Sequence, residues 1–382
     1  MKIILIGNYA PDKQESMKLF ARMLERGFQE AGYVTELWLP MVVFGKFTNN
    51  TYGGIGKWLA YVDKWILFPI YLRLKLWFGK YNLSTARFHV CDHSNAPYLA
   101  HLPLDITGIT CHDVLAIRGA FGFKDAYCEA SKLGVVLQKW ILSNLLKAKY
   151  LACVSMFTMR QLNELSPNLN PDKKKEWRVI LNAFNQDFYP VQQEIIHKEL
   201  LSMGFSPDVP YLLHIGSSLP RKNRKLLVDM LAALGNKWIG IVCFAGQAID
   251  SDLMKRIEAH GLKDRVISLV SPQHDQLVTL YSACSAFVFP SYSEGFGWPV
   301  IEAQACGTAV LTSNVEPMPE VSGAGALHQN PDDASAFAEA FLTLQIEQKR
   351  QELIQAGFEN CKRFAPSIMM NQYLALHQLS RK

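Results

Sequence analysis

No stretch of eighteen consecutive apolar residues occurs in this 382-residue chain, so no helix that spans a bilayer is expected. Charged residues make up only 19% against 49% hydrophobic, which excludes a disordered chain and points to many buried strands. None of the eight cysteines forms a C-x-x-C pair. They read as reduced core residues of a cytoplasmic protein, which argues against a zinc site. The first strand pattern is not followed by G-x-G-x-x-G, which disfavours a dinucleotide oxidoreductase. No nucleic-acid-binding module, internal repeat or low-complexity tract is recognisable, so nucleic acid is not an expected partner. The opening MKIILIGNYAP has a short apolar run cut by Pro11 and by charges, and it reads as a strand rather than a signal peptide.

Short Val/Ile/Leu runs alternate with helical stretches along the whole chain. IILIGN, VTELWLP, RFHVCD, ITGITCH, YLACVS and RVILNA read as strands in the first half. YLLHIGS, IGIVCFAG, VISLV, AFVFPS, AVLTSN and GALHQ do so in the second. Such alternation predicts an α/β protein with parallel sheets covered on both faces. The length calls for two domains. The polar, proline-bounded segment 190–210 divides them into residues 1–190 and a domain from 191 on. Two doubly wound, Rossmann-like domains are expected, with ligand in a central cleft at the carboxyl ends of the strands. The first helix should be capped by Asp12 and Glu15 as a capping box, with Met17, Phe20, Leu24 and Phe28 on its inner face.

The chemistry concentrates in the second half. In SEGFGWPVIEAQACG, residues 293–307, a buried strand is followed by a glycine loop and a helix whose first turn holds Pro299. Gly295 and Gly297 expose amides to phosphate or sugar oxygens. Glu302 lies about one turn into the helix, where a carboxylate can accept from both ribose hydroxyls, or can simply favour the helix dipole. Glu294 faces the transferred sugar or braces the loop. In HIGSSLPRKNRK, Gly216 permits close backbone approach, and Arg221 and Lys222 put two cations where a helix begins. Basic residues there oppose the helix dipole, so an anionic partner is favoured. A diphosphate gains charge as its bond to the sugar breaks, and positioned cations stabilise that state.

Together these stretches resemble the retaining glycosyltransferases of family 4, which have the GT-B fold. The resemblance rests on Glu294 and Glu302 with seven residues between them. It also rests on TCHDV (110–114), VSMFTMRQL (154–162), VILNAFNQDFYP (179–190), HIGSSLPRKN (214–223) and LVTLYSACSAFVFPS (277–291). It implies that Arg221 and Lys222 bind the donor diphosphate and Glu302 the ribose. Glu294 would read the donor sugar, the backbone at Phe296 and Gly297 would hold the donor, and His112 would face the sugar from the first domain. A lone histidine at a strand end is more often structural, and Asp113 either orients it or caps the next segment. Gly7, Asn8 and Gln14 would stand on the acceptor and phosphate side. The tail 366–382 resembles the family's closing helix, which returns to the first domain, leaving 191–365 as the donor domain. The chain departs from the pattern at Ser217, where many members have Arg, at Asn182-Ala183 in place of Asn-Gly, and in a first loop without paired glycines.

The implied activity is transfer of a hexose of mannose or glucose type, with retention and without a metal, from a GDP- or UDP-linked sugar to a glycan or lipid-linked acceptor. The nucleotide sugar is a co-substrate, and no cofactor is implied. Another GT-B enzyme such as a sugar epimerase, or a non-catalytic sugar-nucleotide-binding protein at a membrane, are the alternatives. The acidic triplet Asp250-Ser251-Asp252 could suggest a metal, but it precedes a helix pattern and reads as a cap.

Charge is uneven. Residues 1–190 carry 23 Lys and Arg against 15 Asp and Glu, and residues 191–382 carry 16 against 19. The excess lies in residues 44–88, where Lys46, Lys57, Lys64, Arg73, Lys75, Lys80 and Arg87 face Asp63 alone among interleaved aromatics. This segment either lies on an anionic membrane surface, on the inner face, or forms an ordinary helix pair with a solvated basic side.

Overall fold

The computed structural model describes residues 1–381 other than 49, 52, 80 and 167–174, so Lys80 of the basic segment lies outside the described residues. The chain divides into two compact units. The first contains Met1–Phe123, Cys128–Asn185 and the chain from Pro366 on; the second contains Lys124–Tyr127 and Gln186–Ala365. The division thus falls a few residues ahead of the expected 190, and a four-residue segment of the first half joins the second unit.

Each unit is built on a six-stranded parallel sheet. In the first, β1 (Lys2–Ile6), β2 (Val34–Trp38), β3 (Ala86–Val90), β4 (Thr107–Cys111), β5 (Tyr150–Cys153) and β6 (Glu176–Val179) lie in the order β2-β1-β3-β4-β5-β6. In the second, β7 (Tyr211–Gly216), β8 (Ile241–Gly246), β9 (Val266–Val270), β10 (Ala286–Phe289), β11 (Val310–Ser313) and β12 (Ala326–Gln329) lie in the order β12-β11-β10-β7-β8-β9. Central strands are apolar on both faces because helices cover both: Ile3, Ile4, Leu5 and Ile6 of β1 are fully buried, each worth about 2 kcal/mol in transfer from water.

Strand order fixes where ligands belong. In the first unit the connections reverse direction between β1 and β3, and in the second between β7 and β10. At such switch points the loops leaving two adjacent strands diverge to opposite faces and open a crevice at their carboxyl ends.

Helix α1 (Glu15–Glu30) buries Phe20, Leu24 and Phe28 against the sheet, but it starts without the expected capping box. Asp12 lies in a short 3-10 turn that ends at Lys13 in the left-handed region, and its carboxylate pairs instead with Lys64 at 2.7 Å. The tail helix Pro366–Leu376 packs on α1, where Gly27 is needed because a Cβ would overlap Met370. Tyr373 shares a 2.9 Å hydrogen bond with Thr110, and His377 meets His89 at 3.0 Å. Tyr373 Oη and His377 Nε2 of the tail thus pair with the strands of the first unit, while among the described residues His377 Nδ1 has no hydrogen-bond partner.

The basic segment forms a helical rod from α2 (Gly54–Val62) through a π-helical turn (Asp63–Leu67) into α3 (Phe68–Phe78). Asp63 is fully buried and organises the turn. Its Oδ2 accepts from Tyr9 Oη at 2.6 Å and from the backbone N–H groups of Val43 and Gly45 at 2.9 Å, and its Oδ1 accepts from Phe44 N at 3.0 Å. Burial opposes its ionisation, yet these donors hold its carboxyl below the ordinary range. Part of the aromatic content is plain core: Phe68 and Leu72 are fully buried, and Trp65 packs on Tyr98 and Trp140. Among the described residues no helix is long and apolar enough to cross a membrane.

Candidate active site

At the β7/β10 switch point the second unit gathers three charges. The loop after β7 makes a 3-10 turn at Pro220–Lys222, and Asn223 follows in the left-handed conformation that asparagine tolerates. The Asn223 amide donates to Pro290 O at 3.2 Å and to Pro331 O at 2.7 Å, while Tyr292 N donates to Arg221 O at 2.8 Å. These bonds tie the β7 loop to the end of β10. They bring Arg221 Nη1 to 2.5 Å from Glu294 Oε2 and Lys222 Nζ to 2.7 Å from Glu294 Oε1. Arg221 also donates to Ser293 O at 2.9 Å, and the Lys222 ammonium sits 4.8 Å above the Phe289 ring.

Glu294 is only 7% exposed. Burial by itself would raise its pKa, but the charges of Lys222 and Arg221 more than offset that and hold the carboxyl below its usual range. Two cations on one carboxylate leave a net positive charge in a low-dielectric site, which suits a multivalent anion. Ser218 N, just past Ser217, donates to Gln247 Oε1 at 2.7 Å, so this stretch of the loop is pinned to the loop after β8. Gly216 ends β7, and a Cβ there would meet His214 and Lys222 only at van der Waals distance.

The glycine loop continues into helix Trp298–Ala305, with Pro299 in its first turn. Gly297 is required here: its φ is +100°, and a Cβ would lie 2.6 Å from Met318 Cε. Phe296 is buried against Trp298 and Phe364, so its side chain packs, and only its backbone can serve a ligand. Gly295 joins Glu294 to this turn. Glu302 stands apart from the charged trio, accepting a 2.8 Å hydrogen bond from Tyr281 Oη. Burial pushes its pKa up to about 7, which the Tyr281 bond offsets only in part.

Asp250 accepts from the N–H groups of Asp252 and Leu253 at 3.1 and 2.9 Å, as a helix cap does. His214, on β7, was not singled out from sequence. It is 1% exposed, its Nδ1 donates to Val288 O at 3.1 Å, and among the described residues its Nε2 has no hydrogen-bond partner. Burial drives its pKa down to about 3, so it is a neutral ring with a bare acceptor beneath the β7 loop. Its place inside a strand run made it read as core.

The β1/β3 switch point of the first unit is polar but largely self-satisfied. Asn8 donates to Gln14 Oε1 and to Asp92 Oδ2, both at 2.5 Å, and accepts from Asn95 at 3.1 Å. Gly7, Asn8 and Gln14 line a cavity of about 140 Å³ together with Lys13, Lys18 and Arg22. His112, at the end of β4, is 7% exposed; its Nε2 donates to Cys91 O at 2.9 Å, and its ring meets Phe20 edge-on. Asp113 Oδ1 accepts from Leu115 N at 3.0 Å, the capping role among its two sequence readings. Two carboxylates approach His93: Asp92 Oδ1, which sequence reasoning missed, lies 3.2 Å from its Nδ1, and Asp113 Oδ1 lies 4.0 Å from its Nε2. Burial opposes the charge of Asp92, but His93, His112, the Ser94 N–H and Asn8 hold its pKa below the ordinary range.

Two parallel six-stranded sheets of this topology define the GT-B fold. The chain superposes on sucrose-phosphate synthase from Thermosynechococcus elongatus with a TM-score of 0.70 and 21% identity, over 99% of this chain and 98% of that one. It superposes on Anabaena HepE, solved in complex with UDP and glucose, with a TM-score of 0.66 and 17% identity, over 98% of each. Residues 198–360, which lie in the second unit, match the glycosyl transferases group 1 family. The chain is 28% identical to an O-antigen chain mannosyltransferase of Escherichia coli over 207 residues, 49% of this chain and 54% of that protein. It is 27% identical to the O-antigen chain mannosyltransferase RfbU of Salmonella typhimurium over 261 residues, 66% of each chain. The matched stretches thus span between about half and two thirds of these relatives.

Proposed function

We propose that the protein transfers a hexose of mannose type from a nucleotide-diphosphate sugar to a glycan or lipid-linked acceptor of the cell envelope, with retention at the anomeric carbon and without a metal. The observation that carries this reading is Glu294 held between Arg221 and Lys222 at the β7/β10 switch point. In the ligand-free protein the carboxylate bridges the two cations and offsets one of their charges. A donor diphosphate would take its place on Arg221 and Lys222, leaving Glu294 to accept hydrogen bonds from sugar hydroxyls. As the bond from the anomeric carbon to the diphosphate oxygen breaks, negative charge grows on the leaving phosphate. The two cations, already positioned, then bind more tightly than in the ground state. Ionised Glu302 would accept from the two ribose hydroxyls, and His112 and the Asn8 cluster would serve the acceptor side. Retention fits attack from the same face as departure, the leaving phosphate taking the acceptor proton. Mannose is favoured by the names of the related enzymes, and UDP by the ligand of the Anabaena structure. Both GDP and UDP donors therefore belong in the test.

The test is thermal stabilisation of the wild type and of Arg221→Ala by a panel of UDP- and GDP-sugars, followed by turnover with and without EDTA. Stabilisation in the wild type, its loss in Arg221→Ala, turnover indifferent to EDTA and an unchanged anomeric configuration by NMR are expected. A wild type that no nucleotide sugar stabilises would overturn the donor site.

A further inference from the structure

We infer that the outer face of the α2–α3 rod is a docking surface for an anionic lipid bilayer. Ile55, Trp58, Ile66, Ile70, Leu74 and Trp77 are 78%, 55%, 53%, 51%, 47% and 81% exposed. Their spacing of three or four residues, with half-buried Val62 in the gap, makes one stripe about 33 Å long at 1.5 Å per residue.

The π turn keeps this stripe straight. In an unbroken helix of 3.6 residues per turn, Leu74 would point about 160° away from Trp58. The turn at Asp63–Leu67 absorbs about one extra residue, some 100° of rotation, and brings the two halves back to one side. The inner face is rephased by the same step: Ala60 before it, Asp63 at its start, and Phe68 and Leu72 after it are all fully buried. Asp63, bonded to three backbone N–H groups and Tyr9, holds the turn. A buried carboxylate thus sets the phase of an apolar stripe that faces away from the protein.

Charge decides the occupant. From residue 44 to 88 the only acid is Asp63, and it is fully buried, so the segment's own exposed charges are all positive. Lys46 and Arg73 are exposed beside the stripe, and Lys57 and Lys75 flank it half-buried. Aromatics cluster at its ends, with Phe47 80% exposed near one and Phe78 72% exposed at the other. Apolar residues at acyl-chain depth, aromatics at headgroup level and cations of one sign match an interfacial helix on acidic lipid. At the α2 end the stripe runs into an apolar groove of about 360 Å³ lined by Ile55, Trp58, Tyr61 and Leu133, which widens the face. In the second unit, exposed apolar residues such as Ile239, Val270 and Ile346 stand on separate elements, as on any soluble surface.

The experiment is co-sedimentation of the full chain with vesicles of phosphatidylcholine alone or mixed with phosphatidylglycerol, without nucleotide, so it is independent of the donor-site reading. The wild type should partition at least about tenfold better onto the anionic vesicles, and high salt should weaken this. Ile70→Ser with Trp77→Ser should lower binding at least about tenfold at an unchanged melting temperature, while Ile239→Ser should leave it unchanged. Equal binding to neutral vesicles, or full binding by the double variant, would overturn the proposal. So would a wild-type dimer in sedimentation velocity that the double variant converts to monomer, because a second copy would then cover the stripe.

Discussion

The two units use the same architecture to opposite electrostatic ends. At the β7/β10 switch point, buried Glu294 and the half-buried Arg221 and Lys222 form a trio with one positive charge in excess. At the β1/β3 switch point, Asn8, Gln14, Asp92 and Asn95 satisfy one another through hydrogen bonds, with the cations Lys13, Lys18 and Arg22 around the cavity beside them. A cluster with one cation in excess favours an anionic ligand. A satisfied hydrogen-bond cluster offers adjustable donors and acceptors instead. The same crevice can therefore be tuned for a fixed ionic group in one unit and for neutral hydroxyls in the other.

Removing the carboxylate of each cluster should separate the two units most strongly. Glu294→Ala leaves two partly buried cations facing each other and should cost about 3 kcal/mol of stability in urea unfolding. Pyrophosphate or UDP should restore more of the melting temperature in this variant than in the wild type, because the anion replaces the missing charge. Asp92→Asn keeps most of its hydrogen bonds and should cost about 1–2 kcal/mol, with no rescue by either anion. If both variants respond alike to pyrophosphate, the electrostatic contrast between the units is wrong.

Titration gives the next largest effect. The Glu302 pKa of about 7 means that the ionised form, the one able to accept from two hydroxyls, is depleted as pH falls through 7. Donor affinity, measured by calorimetry, should drop about tenfold between pH 8 and pH 6, and Glu302→Gln should abolish that slope. His112→Leu should lower turnover while leaving nucleotide binding within about twofold, if His112 serves the acceptor side rather than the donor site. The smallest expected change is Tyr281→Phe, which removes one hydrogen bond at about 1 kcal/mol and moves the midpoint of the Glu302 titration upward.

Much of this was legible in the sequence because it is local. A strand forms at or beside each of the twelve expected runs, since runs such as IILIG and AFVFPS are apolar enough to be buried on both faces, but β6 at Glu176–Val179 shares only Arg178 and Val179 with the expected RVILNA. Glu294, Arg221 and Lys222 were each singled out, but their meeting depends on Asn223, whose amide binds two loops far from it in sequence. The capping box was misjudged because Lys64, 52 residues from Asp12, competes for its carboxylate. Asp92 and His214 were passed over because each sits at or within an apolar strand run, where period alone cannot separate a site residue from core.

Sequence sets the alternation of strands and helices, the parallel sheets, and the acids and cations available in the loops after β7 and β10, since burial pattern and side-chain chemistry are properties of short segments. Tertiary packing sets which carboxylate bridges which cations, why burial raises the Glu302 pKa to about 7 and which aromatics of the rod face outward. Those depend on strand order, on desolvation and on a π turn held by a buried aspartate, and each is set by groups distant along the chain.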